Sequence, residues 1–331
     1  MTGIGIIGAG HFGAVHAKAI AEVEGLEIVA ACRGDQAALA AFTDRFGGKG
    51  YAGWQDLLAD PKVDAVVIAT PHNLHEEITI AAAEAGKHIL LEKPMAPSVT
   101  ACTAMNAAAG RAGVHLMVGH VMHFALPCLA AKAVIDSGRL GRPVMGASWM
   151  IKLWMEANRQ PWHMNRASGG GMLMTAGIHA LDRLVWLMGR DVSAVSAMMG
   201  TNFHDQEADD TALLGLRFAD GGVGQVQSVG YRDGAVGFAM DLVCEKGTLR
   251  IDFDTGTWMG QGGSWTKLDR SLEPDWMHHA VVREWQALQA AMRGEAEVPV
   301  TGDYASHIVE VIEAAYEADA LRREVPVGAG A

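Results

Sequence analysis

Positive charge is scarce in this chain. Its 331 residues carry 26 Lys and Arg against 38 Asp and Glu, a formal net charge of −12, and no basic run interrupts that balance. A nucleic-acid backbone or an anionic membrane needs a clustered cationic face, so both are excluded as partners. Cysteine is scarce too. Cys32, Cys102, Cys128 and Cys244 lie far apart, without a CxxC pair or the Cys/His spacing of a zinc site, which implies reduced thiols, a cytoplasmic enzyme and no metal. No apolar run approaches the ~18 residues of a membrane span, and the first strand begins within a few residues of Met1, so neither an anchor nor an export signal is expected. Internal repeats and low-complexity segments are also missing. With 50% hydrophobic and 19% charged residues the chain is globular, and its length suits two domains.

What the chain has in quantity is glycine, 40 residues, and one cluster of it stands between a strand and a helix. Ile4, Ile6 and Ile7 form a short apolar run, and His11 to Val23 reads as a helix carrying Phe12, Val15, Ala19 and Val23 at helical spacing. Gly8–Ala9–Gly10–His11–Phe12–Gly13 joins the two. In that setting Gly8 allows the tight turn, Gly10 lets backbone approach a pyrophosphate, and Gly13 lets helix and strand pack closely. The free N–H groups and positive end of the helix then face the phosphates, with His11 and Phe12 in the same cofactor-binding turn.

Further strands are expected at Leu26 to Cys32, Asp64 to Thr70, Lys87 to Leu91 and His115 to Gly119, with helices such as Glu76–Ala85 and Ala101–Ala112 between them. That alternation predicts a doubly wound parallel sheet in residues 1–121. Beyond a helix around Leu129–Asp136 the rhythm changes. Val144–Met150, Thr211–Phe218, Val223–Gly230, Ala239–Cys244 and Gly247–Phe253 look like strands joined without helical crossovers, with hairpin turns at Gly221–Gly222 and Lys246–Gly247. Two late helices follow, one carrying Val281, Trp285, Leu288 and Met292, the other spanning Tyr304–Leu321. The expectation is an α/β chain whose second domain, residues 122–331, is α+β with a largely antiparallel sheet.

Gly8–Gly13, Ala69–Thr70–Pro71 with Asn73 and His75, Glu92–Lys93–Pro94, Val118–Gly119–His120, and Gly169–Gly170–Gly171 leading to Gly177, His179 and Asp182 occur in one order. This ordered set resembles the Gfo/Idh/MocA oxidoreductases over nearly the whole chain. The resemblance implies an N-terminal Rossmann domain, a C-terminal domain with an open-faced sheet that binds substrate, and homo-oligomers (dimers or tetramers) built through that sheet. It also implies a cis Lys93–Pro94 bond and a dinucleotide lying along Thr70, Pro71, Asn73, His75, Glu92 and Lys93.

Many NAD-binding folds hold the ribose 2′-hydroxyl with an acidic side chain about 20 residues past the glycines. Here that position is Arg33, whose guanidinium suits a 2′-phosphate, so NADP is the expected cofactor, with NAD the alternative if a shifted loop presents Asp35. Oxidising an alcohol by hydride transfer requires a base at the departing hydroxyl proton, and Lys93 is the candidate. Burial and a cationic neighbour would favour its uncharged form. Glu92 would oppose this if its carboxylate pointed inward, so it is expected to turn toward backbone or cofactor. Thr175, His179 and Asp182 fall at i, i+4 and i+7 of a predicted helix, on one face. The resemblance assigns His179 to the reacting hydroxyl or to assisting Lys93, and Asp182 to orienting the imidazole. Two positions depart from the family pattern, Thr175 where many members have aspartate and His123 where relatives often have arginine. Trp162 and Arg166, just before the glycine run, and His120 and His123 are the expected substrate-binding residues. A sugar, polyol, cyclitol or cyclic diol would suit such aromatic walls. Two other readings stay open: a regulatory protein that binds cofactor without turnover, and an enzyme that uses bound cofactor for redox-assisted elimination or hydrolysis.

Overall fold

The computed structural model describes residues 1–155 and 159–328. Two compact units divide the chain, Met1–Val121 with Met277–Ser306, and Met122–Trp276 with the residues from His307 onward. Residues 277–306, which the sequence pattern leaves with the second domain, therefore pack with the first.

The first unit is built on β1 (Thr2–Ile7), β2 (Leu26–Cys32), β3 (Lys49–Tyr51), β4 (Ala65–Ile68), β5 (His88–Glu92) and β6 (Leu116–Gly119). They form one parallel sheet in the order β3-β2-β1-β4-β5-β6. Helices cover both faces: α1 (His11–Ile20), α2 (Gln36–Phe46), α3 (Trp54–Leu58), α4 (His75–Glu84) and α5 (Val99–Ala112). Strands buried on both sides need no polar alternation, and Ala65–Ile68 and Ile89–Leu91 are apolar and buried throughout. The strand order reverses across β1, which lies between β2 and β4. In open α/β sheets ligands bind outside the carboxyl ends of the strands at such a switch point. Gly8 follows β1 there, and Thr70 follows β4.

The second unit begins with α6 (Leu126–Asp136) and carries β7 (Pro143–Leu153), α7 (Ile178–Met188), β8 (Val192–Gly200), β9 (Thr211–Phe218), β10 (Val223–Tyr231), β11 (Gly237–Cys244), β12 (Gly247–Asp252), β13 (Gly256–Gln261) and β14 (Ser264–Lys267). Helices α8 (Trp276–Met292) and α9 (Gly302–Leu321) follow, and β15 (Val325–Pro326) closes the described chain. The sheet runs β14-β13-β12-β11-β7-β10-β9-β8-β15. All its pairings are antiparallel except β7 with β10. α7 is buried along almost its whole length and packs on β7 and β10.

Candidate functional site

The glycine turn of the first unit is shaped by three different demands. Gly8 has φ +96°, and a Cβ there would lie 2.4 Å from the Ala69 carbonyl oxygen. A Cβ on Gly13 would lie 2.5 Å from the Gly8 carbonyl oxygen, so only glycine lets α1 start so close to β1. Gly10 differs, since a Cβ there would meet nothing within 4 Å. That open space lies at the N-terminus of α1, which has no side-chain cap and no acidic residue in its first turn. Across the switch point the Thr70 hydroxyl oxygen is buried without a hydrogen-bond partner among the described residues. An uncapped helix start, an open cradle and an unused hydroxyl fit a pyrophosphate.

Arg33 lies beside this turn, its Nη1 donating to the Ala9 carbonyl at 3.2 Å. Asp35 instead caps α2, accepting the Ala38 N–H at 3.0 Å. His11 is exposed, and the Phe12 ring, 39% exposed, lies edge-on to it at 6.2 Å. Pro71 and exposed Asn73 sit at the short turn after β4.

At the end of β5 the Lys93–Pro94 bond is cis, and Lys93 is 9% exposed. Glu92 is engaged by a side chain: its Oε1 accepts a 2.7 Å hydrogen bond from His16 Nε2. Burial alone would raise the Glu92 pKa, but that bond, with the charge of Lys93, brings it below the usual carboxylate value. His75 requires a correction. It is fully buried, its Nδ1 faces the Pro94 carbonyl at 3.0 Å and its Nε2 the Thr70 carbonyl at 3.1 Å. Its ring clasps the ends of β4 and β5 and has no surface to offer a dinucleotide. Burial holds its pKa below the ordinary histidine value. His120 is fully buried, with its ring edge-on to Tyr304 at 6.0 Å.

In the second unit the predicted single helix through Thr175, His179 and Asp182 is two pieces. Leu173–Gly177 forms a π-helical turn, and α7 starts only at Ile178. π turns break the i, i+4 register and recur at functional sites. Two features fix this one. A Cβ on Gly177 would lie 2.2 Å from Ser228 Oγ of β10, and the Asp209 carboxylate accepts the Leu173 N–H at 2.8 Å. Gly171, at φ +99°, makes room for that carboxylate, because a Cβ there would lie 2.5 Å from Asp209 Oδ1. Thr175 and His179 are 5% and 8% exposed, while Asp182 is fully buried. Asp182 Oδ1 is taken by His123 Nε2 at 2.9 Å, and the His123 ring stacks on Trp186 at 4.1 Å. His123 therefore engages two side chains of α7. Trp162 stacks on His163 at 3.7 Å, and the exposed Arg166 places its guanidinium over the Tyr316 ring at 4.5 Å.

Sequence reasoning missed Asp209, His16, Trp285 and Tyr316. Asp209 is 3% exposed, receives the Tyr316 hydroxyl at 3.3 Å, and is pushed up to about 6 by burial against the pull of the Leu173 N–H and Arg166. The pair Asp209–Asp210 directly before a strand was the available signal, since two adjacent carboxylates there need partners. Among the described residues no three His, Cys, Asp or Glu side chains gather to hold a metal ion.

Residues 2–120 match a family model described as an oxidoreductase family with an NAD-binding Rossmann fold, and residues 128–250 match that of the GFO/IDH/MocA C-terminal domain. The inositol 2-dehydrogenase of Streptomyces avermitilis is 29% identical over 323 residues, covering 93% of this chain and 90% of that one. The 1,5-anhydro-D-fructose reductase of Ensifer adhaerens is 33% identical over 180 residues, so that match spans about half, 54%, of each chain. An oxidoreductase from Agrobacterium radiobacter, solved with NAD+, L-tartaric acid and magnesium, superimposes with a TM-score of 0.89 at 25% identity over 99% of both chains.

Proposed function

Because the chain belongs to the Gfo/Idh/MocA oxidoreductases, we propose that it interconverts a secondary alcohol and a ketone on a sugar, polyol, cyclitol or related cyclic diol, with NADP(H) as cofactor, Lys93 as general acid–base and His179 assisting it. The observation that carries this reading is the end of β5, where a buried lysine stands next to a carboxylate already engaged by an imidazole. A lysine acts as a base only where its uncharged amine is accessible to the reaction, and burial favours that form. When bound, the nicotinamide accepts or returns the hydride. Lys93 takes the hydroxyl proton as the carbonyl forms and gives it back in the reverse direction. His179 hydrogen-bonds the reacting oxygen, and Thr175 offers a neutral hydroxyl where many relatives carry a carboxylate.

NADP is favoured over NAD by two side chains. Arg33 sits at the glycine turn, and Asp35, the carboxylate that would bind an unphosphorylated ribose, is committed to capping α2. Arg33→Asp should reverse the preference in paired assays with the two cofactors, and an unchanged ratio would discard the assignment. We also place the enzyme in the cytoplasm as a dimer or tetramer formed through the nine-stranded sheet, whose strands expose Met198 (67%), Met145 (46%) and Val243 (46%). Light scattering reads that state directly.

The activity is tested by following reduced nicotinamide absorbance with NADP+ and inositol, and with NADPH and 1,5-anhydro-D-fructose. Lys93→Ala should lower turnover about 10²–10⁴-fold, the usual weight of a positioned acid–base, with cofactor affinity retained. Tight NADP binding without hydride transfer would favour the regulatory reading. Turnover without net absorbance change would favour redox-assisted elimination or hydrolysis.

A further inference from the structure

Next to Lys93, within the first unit, two buried side chains and the half-buried Glu92 form a chain of hydrogen bonds with a fixed direction. The Trp285 indole Nε1 donates to His16 Nδ1 at 3.1 Å, and the two rings meet edge to face at 6.0 Å. His16 Nε2 in turn lies 2.7 Å from Glu92 Oε1. Trp285 and His16 are 1% and 0% exposed. An indole N–H can only donate, so Nδ1 of His16 must present its lone pair and the ring hydrogen must sit on Nε2. That assignment makes His16 a neutral donor to Glu92.

We propose that Trp285 and His16 are positioning residues for Lys93, acting through Glu92: the indole selects the imidazole tautomer, and the imidazole holds the carboxylate that neighbours the lysine. The inference rests on the acid–base reading of Lys93. Glu284, also fully buried, faces the same spot, since a Cβ on Gly119 would lie 3.5 Å from Glu92 Oε1 and 3.6 Å from Glu284 Oε1. Among the described residues neither Glu284 oxygen has a hydrogen-bond partner, and burial, with the charge of Glu92, pushes its pKa well above the ordinary carboxylate value. His75, which also acts on Glu92, turns its ring to backbone carbonyls. Glu92 is thus a carboxylate that acts on Lys93, and His16 is its side-chain donor. Released from that donor, the carboxylate would pair with the ammonium of Lys93 and hold it in its charged, non-basic form.

Two readouts on the cofactor-free protein test this. ¹⁵N spectra of the His16 ring at pH 7 should show the Nε2–H tautomer in the native protein and a mixture in Trp285→Phe; an Nδ1–H tautomer in the native protein would overturn the proposal. The rate at which Lys93 reacts with trinitrobenzenesulfonate, read by mass spectrometry of its peptide, reports the uncharged amine. It should fall about tenfold in His16→Leu, as for one unit of proton affinity, stay within about twofold in His16→Gln, whose amide can still donate to Glu92, and rise in Glu92→Gln. Should His16→Leu fail to fold, Trp285→Phe carries the test, with a fall of about threefold expected. Native reactivity in these variants ends the positioning role while leaving Lys93 as the base. Full turnover by Lys93→Ala ends the acid–base reading while leaving the hydrogen-bond chain intact.

Discussion

Two glycines three positions apart should respond to the same methyl group in opposite ways. Gly13→Ala drives a Cβ to within 2.5 Å of the Gly8 carbonyl oxygen, an overpacking that costs roughly 1–3 kcal/mol and should lower the urea midpoint. Gly10→Ala meets nothing within 4 Å and should leave stability within about 0.5 kcal/mol, yet its methyl fills the cradle and should weaken NADP binding at least about tenfold by calorimetry, since a bound phosphate needs backbone contact there. Equal behaviour of the two variants would make the turn a purely structural one. The steric demands on Gly8 and Gly13 were legible in the sequence, because each glycine of such a turn meets a separate backbone. The histidines were not. His75, His120 and His123 are polar by identity, and nothing local reveals that the first two are sealed from solvent or that the third bonds Asp182. Arg33 and Asp35 were read as rivals for one ribose, whereas the start of α2 gives Asp35 a different task.

At the scale of elements, strands β2 and β9 have the bounds their apolar runs suggest, Leu26–Cys32 and Thr211–Phe218. β3 and β14 have no such run: β14 is exposed at all four positions and β3 is buried at none, so they exist only as additions to a neighbour's edge. The π turn before α7 was illegible for another reason. Its determinants, Ser228 and Asp209, lie at least 30 residues away in sequence, and periodicity sees only neighbours. Asp209 makes this turn sensitive to pH. Its pKa is raised to about 6 from an ordinary value of about 3.9, so between those values the folded chain keeps a proton that the unfolded chain releases. Stability from this group is complete below about pH 4 and is lost as pH rises through 6, a difference of roughly 3 kcal/mol by pH 7. Asp209→Asn keeps an oxygen for the Leu173 N–H and does not titrate. Its urea stability relative to the native protein should therefore improve by about that amount between pH 4 and pH 7, and a constant difference across that range would remove the carboxylate from the account.

For the whole molecule, the least legible fact was that the chain returns. Composition and motif order divide it once, near residue 121, but Met277–Ser306 packs with the first unit, a pairing that the amphipathic pattern of α8 announces without naming its target. Val281, Trp285, Leu288 and Val300 are each at most 1% exposed, and Val118 N–H donates to the Val300 carbonyl at 3.1 Å. Burying an apolar side chain of this size contributes about 1.5–3 kcal/mol, so four of them approach the ~5–15 kcal/mol that stabilises an ordinary domain. Residues 1–121 expressed alone would also leave His16 without its indole donor. That fragment should lack a cooperative urea transition and bind a hydrophobic dye, although it contains the whole parallel sheet and every glycine of the turn. Joining residues 277–306 to it through a flexible linker should restore both the transition and NADP affinity, because linked segments meet at millimolar effective concentration. A cooperative transition in the unlinked 1–121 fragment would mean that the returning segment merely rests on a unit already complete.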